Sequence, residues 1–173
     1  MFWVGILKMK RFFIALAMIA AVSMFATDAI AAQCYSPREF EAEQGLRIHS
    51  ELMVISLTCM KMPNGSGMYQ KYQSFTTKNK NLLSGYEEDM ISYFRAQGAS
   101  SPEKQFHTLR TSLANQISQH AIKMSTGSFC QHFANRIDSA LAMNQEKLRR
   151  WAQQPWPNSP TSKPMCGGQV AQR

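Results

Sequence analysis

The chain has 173 residues, 19 Lys and Arg against 11 Asp and Glu, and a formal charge of +8. That length allows one domain with a real core, and the scattered cations carry no recognition motif of a nucleic-acid binder. All four cysteines, Cys34, Cys59, Cys130 and Cys166, lie beyond the first thirty residues, and none forms a C-x-x-C pair. Thioredoxin-type redox chemistry and haem attachment of the C-x-x-C-H type are therefore excluded.

The first 32 residues read as a signal peptide. Lys8, Lys10 and Arg11 supply the basic start, Phe12 to Ala26 the apolar stretch, and Ala29-Ile30-Ala31 the small-residue cleavage site. The apolar run is too short to span a bilayer. The charges follow Phe2 to Leu7 rather than lead, so translation is expected to begin at Met9, with Met1 the alternative. Gln33 before Cys34 argues against lipidation. Cleavage is expected after Ala31 or Ala32. It removes Lys8, Lys10, Arg11 and Asp28, so the charge falls from +8 to +6. The expected location is periplasmic or secreted.

The remaining chain is predicted to be all-α: a four- or five-helix up-down bundle over 33–153, then an irregular Pro-rich tail over 154–173. Ser36-Pro37-Arg38-Glu39 is a capping box with proline at the first helical position. The helix should run to about Met62 and stop at Pro63-Asn64-Gly65. Ile48, Leu52, Ile55, Cys59 and Met62 share one face. Leu52 to Met60 is apolar nearly all round, which makes this helix central. Tyr69, Tyr72 and Phe75 mark a second helix, weakening at Lys78-Asn79-Lys80-Asn81. Ser84-Gly85-Tyr86-Glu87 is expected to cap a restart that ends near Gly98. In that reading Glu87-Glu88-Asp89 is a first-turn acidic run that complements the helix dipole. Ser101-Pro102 opens the next helix, with Phe106, Leu109, Leu113, Ile117, His120 and Met124 in register. After a turn at Ser125–Ser128, the last helix carries Phe129 or Cys130, then Phe133, Ile137, Leu141, Leu148 and Trp151.

An even number of cysteines in an exported chain reads as two structural disulfides. A continuous helix of 25 residues is about 37 Å long, which rules out Cys34–Cys59. Two pairings stay open. A four-helix alternation joins Cys59–Cys130 and Cys34–Cys166; five alternating helices would join Cys34–Cys130 and Cys59–Cys166. The first is favoured.

The segment Glu51-Leu52-Met53-Val54-Ile55-Ser56-Leu57-Thr58-Cys59 resembles a group of small exported (periplasmic) helical proteins with paired cysteines, predicted from alphaproteobacterial genomes. The likeness continues through Tyr93-Phe94-Arg95 with Gly98, Thr111 to Asn115 and Phe129-Cys130, and covers about 34–135. It implies export, helices and paired cysteines, and it transfers no catalytic residue.

Candidate chemistry is sparse. Cys59-Met60-Lys61-Met62 offers soft metal ligands, but Met60 and Met62 point to different helix faces and Cys59 is better used in a disulfide. Cys130-Gln131-His132 with His120 suggests a nucleophile and base, which a disulfide would remove. His120 is read as half-buried and hydrogen-bonded, His49 and His107 as surface residues, and Lys147, Arg149 and Arg150 as a solvated helix end. Thr111-Ser112 with Asn115 is a polar patch that either bonds a neighbouring backbone or marks a binding face. No catalytic residue, cofactor or metal is assigned. The expected role is a non-catalytic envelope protein whose partner is another envelope protein or an anionic surface. Its motivation is the basic charge and the aromatic pair Trp151 and Trp156. An inhibitor of an exported enzyme is the alternative.

Overall fold

The computed structural model describes residues 34–156 and 159–167, so the signal-peptide assignment and the last residues of the tail lie outside it. The capping box forms as read: the Glu39 amide donates to Ser36 Oγ, and the Ser36 amide donates to the Glu39 carboxylate at 2.7 Å. From it α1 runs Pro37–Cys59. It is followed by α2 (Met68–Lys78), α3 (Lys80–Ala96), α4 (Pro102–Met124), α5 (Thr126–Phe133), α6 (Asn135–Ala142) and α7 (Gln145–Ala152).

The described chain is all-helical with two disulfides, Cys59–Cys130 and Cys34–Cys166. The only β contact among the described residues is one bridge between Tyr35 and Met165. Three of the helical breaks are one residue wide. Asn79 is fully buried between α2 and α3, and its side-chain amide donates to the Phe75 carbonyl at 2.9 Å. It holds the two helices as one kinked rod, so the restart comes at Lys80 and not at Ser84. Ala134 likewise separates α5 from α6. The Ser125–Ser128 turn shrinks to Ser125 alone, at a φ of 67°.

Four rods therefore alternate. Tyr35 meets Tyr93, Glu41 meets Tyr86 and His49 meets Thr76, which sets α2–α3 antiparallel to α1. Glu87 pairs with Arg110 and Arg95 with Glu103, which turns α4 back again. Cys59–Cys130 and Glu51–Arg136 make α5–α6 antiparallel to α1. The short α7 is a fifth piece lying over the first half of α1.

α1 touches every other described helix. Phe40 to Ser50 is buried without interruption. Gly45 is required there, because a Cβ would sit 2.2 Å from the Tyr86 ring. Buried aromatics Phe75, Phe106 and Phe129 and the aliphatics Leu46, Ile48, Leu52 and Ile55 fill the space around α1. The tail then crosses it. The Tyr35 amide donates to the Pro164 carbonyl at 2.7 Å, the Cys166 amide donates to the Tyr35 carbonyl at 2.8 Å, and the Ser162 amide donates to Glu43 at 2.7 Å.

Candidate functional site

A cleft of about 810 Å³ opens between the first turns of α1, the first half of α3, α7 and Met165 of the tail. Helical spacing builds each wall. The capping box fixes Pro37 and Arg38 at the mouth and puts Phe40 and Glu41 one step inside. On α3, Asn81, Gly85 and Asp89 follow at four-residue intervals, with Leu82 and Tyr86 beside them. On α7, Arg149 and Gln153 are again four apart, so both reach the same side.

Glu41 is the polar centre. One oxygen accepts from the Tyr86 hydroxyl at 2.9 Å and from Arg149 Nε at 2.7 Å; the other accepts from Gln153 Nε2 at 2.7 Å and from Arg149 Nη2 at 3.4 Å. Burial alone would raise the Glu41 pKa, but the bonds from Arg149, Gln153 and Tyr86 outweigh it and hold the carboxyl below its ordinary value. Burial, then the Glu41 bond, pushes the Tyr86 phenol far up, so it stays protonated and donating. At the mouth, Arg38 pairs with Asp89 at 2.5 Å. The two acids lie deep, with side chains 8% and 15% exposed, whereas Arg149 and Arg38 are 56% and 80% exposed. The cleft thus shows its cations to solvent and keeps its anions behind them. A carboxylate already ionised and saturated in this way is a structural anchor and a poor proton donor.

A second polar centre sits under the tail. Arg47 Nη2 donates to Glu43 at 3.1 Å and to the Pro160 carbonyl at 2.9 Å, and Nη1 donates to Gln116 at 3.1 Å. Glu43 is fully buried and Arg47 is 4% exposed. Burial first, then the charge of Glu43, raises the Tyr35 phenol pKa.

A smaller cleft of about 530 Å³ is lined by Trp151, Trp156, Phe133, Arg136, His120 and Glu51. The two indoles pack with centroids 5.5 Å apart, and the Arg136 guanidinium lies 4.7 Å over the Phe133 ring while pairing with Glu51.

Several expectations change. His120 is exposed, not half-buried. His49 is buried rather than at the surface: it stacks on Tyr72 at 5.4 Å and lies 2.9 Å from its hydroxyl and 3.2 Å from Thr76 Oγ1. Burial, then the charge of Arg110, lowers its pKa to about 4. Glu87 and Asp89 stand mid-helix and pair with Arg110 and Arg38, so they do not serve the start of a helix. Arg149 is not a free end charge but the partner of Glu41. His107 is exposed, and Thr111, Ser112 and Asn115 line a shallow depression on α4.

Cys59 and Cys130 are joined, which removes both the soft-ligand and the thiol-nucleophile options. Among the described residues no cluster of three His, Cys, Asp or Glu could hold a metal ion, and no helix is long and apolar enough to cross a membrane.

Sequence reading missed the cleft, although the four-residue spacings of Asn81-Gly85-Asp89 and Arg149-Gln153 were available. What it lacked was the pairing of α1 with α3 and α7. No family model, curated protein or solved structure matches the chain.

Proposed function

We propose that this is an exported, non-catalytic binding protein of the cell envelope, acting through the cleft between α1, α3 and α7. The observation that carries the reading is the saturation of Glu41. All four of its contacts come from within the protein, so the group best placed to do chemistry is already spent on holding the cleft in shape. What remains for a partner is a rim of exposed guanidinium and amide groups around apolar side chains, a composition suited to recognition. Two disulfides in so short a chain fit an oxidising destination outside the cytoplasm. The basic charge favours an anionic partner.

The test is a photo-crosslinking residue placed at Asn81, exposed on the cleft wall, in cells expressing the full chain. The same residue at Lys104, which lines a different depression, is the comparison. A discrete adduct from position 81 and none from 104 is expected. Equal yields from both positions, or none from either, overturn the reading. N-terminal sequencing of the exported form should begin at Ala32 or Gln33.

A further inference from the structure

The glycine at position 85 has no internal explanation. It lies inside α3 with helical neighbours on both sides, and a Cβ built on it meets nothing within 4 Å. Glycine in a helix interior is less stable than alanine, and nothing in the protein requires it here. The other described glycines are accounted for. Gly45 and Gly65 avoid direct clashes with Tyr86 and with the Cys59 carbonyl. Gly67, Gly98 and Gly167 have positive φ, and Gly127 stands in the first turn of α5, where helix propensity weighs little. Gly85 and Gly127 both bare helix backbone with no neighbour within 4 Å, but only Gly85 is a mid-helix position, and it stands in the wall of the 810 Å³ cleft. A bare backbone at a cavity wall is the usual provision for close approach of a ligand.

The groups around it define what approaches. Arg38 and Arg149 face the mouth, each braced by a deep carboxylate, and a guanidinium has five N–H donors, more than those pairings use. Braced forks of this kind match carboxylate and phosphate oxygens. Glu41 is screened by its own bonds, so it does not oppose an incoming anion. Pro37, Leu82 and Met165 give the cleft apolar walls beside Gly85.

We infer that the cleft binds a small organic anion, a carboxylate or phosphate head on an apolar body, with the head on Arg38 and Arg149 and the body against α3 at Gly85. This deepens the binding function proposed above and rests on it. Such a molecule could come free or as a lipid at a membrane surface.

The experiment titrates the full exported protein with decanoate, decyl phosphate and decyltrimethylammonium by calorimetry, and sediments it with phosphatidylglycerol vesicles. The two anions should bind and the cation should not. Gly85→Ala should weaken binding about tenfold while raising Tm by about 3 °C. Gly85→Leu should abolish binding with the helical circular dichroism intact; if that variant does not fold, Gly85→Ala decides. Arg38→Gln, at an exposed position, should also cost about tenfold. Vesicle binding that Gly85→Leu removes identifies a membrane source; binding of soluble amphiphiles alone identifies a free one. Equal binding of the cation, or unchanged binding by Gly85→Ala, overturns the inference. If no amphiphile binds while position 81 still crosslinks, the ligand class is wrong and the binding role stands; if both fail, both fall.

Discussion

The two halves of α1 are buried by different means. Phe40 to Ser50 holds Glu41, Glu43, Gln44, Arg47 and His49, yet every residue in it is buried. Glu51 to Cys59 is far more apolar, yet Leu57 is 48% exposed. The polar half is enclosed because remote parts of the chain bring partners to it: Tyr86, Arg149 and Gln153 to Glu41, and the tail with Gln116 to Glu43 and Arg47. Between its two specific links, the Glu51–Arg136 pair and the Cys59–Cys130 bridge, the apolar half is held by contact alone. Burial in the first half is therefore specific and brittle, and in the second generic and tolerant.

The sharpest way to break the contrast is Arg47→Met, which leaves Glu43 buried without its cation. A loss of about 4 kcal/mol is expected in urea unfolding, and adding Glu43→Leu should restore most of it, because replacing both members of a buried pair by apolar groups is near neutral. Failure of the rescue would show that the tail contacts at Ser162 and Pro160 matter more than the pair. In the apolar half, Ile55→Ala should cost about 3.5 kcal/mol through its cavity, with no rescue by any single polar change.

The third test uses pH. His49 has a folded pKa of about 4, below the ordinary value of about 6.5, because the charged ring is poorly solvated. Between these values the unfolded chain binds more protons than the folded one. Stability is thus full above pH 6.5 and falls as pH drops toward 4, by about 3 kcal/mol from this residue. His49→Gln should flatten the pH profile in that window; an unchanged profile would remove His49 as its source. Glu41, whose folded pKa is lowered, adds loss in the same direction at more acidic pH. The smallest effect belongs to Leu57→Gln, expected to stay within about 0.5 kcal/mol because the side chain is half in solvent.

Local signals in the sequence carried much of this fold. The capping box at Ser36–Glu39 and the proline at position 102 start their helices as read. The length of α1 was enough to exclude one disulfide, and a four-rod alternation favoured the pairing that is found. What failed was anything that depended on partners distant in sequence. His49 looked like a surface residue because nothing near it in the chain discloses Tyr72 and Thr76. Arg149 looked like a solvated end charge because Glu41 lies on the opposite side of the sequence. The Asn79 break was visible, but its narrowness was not, since the side chain that bridges it also suits a turn. Gly85 was taken for part of a helix cap, and only the neighbours of α3 show it to be an opening in a wall.

The junction of Tyr35 with the tail has a mechanical consequence. Cys34 and Cys166 are covalently joined, and the backbones beside them exchange hydrogen bonds at Tyr35, Pro164 and Cys166. The bridge closes the helices between residues 34 and 166 into one covalent loop, so the two ends of the domain stay together even when those helices unfold. Only after that one bridge was reduced would unfolding let the two ends drift apart.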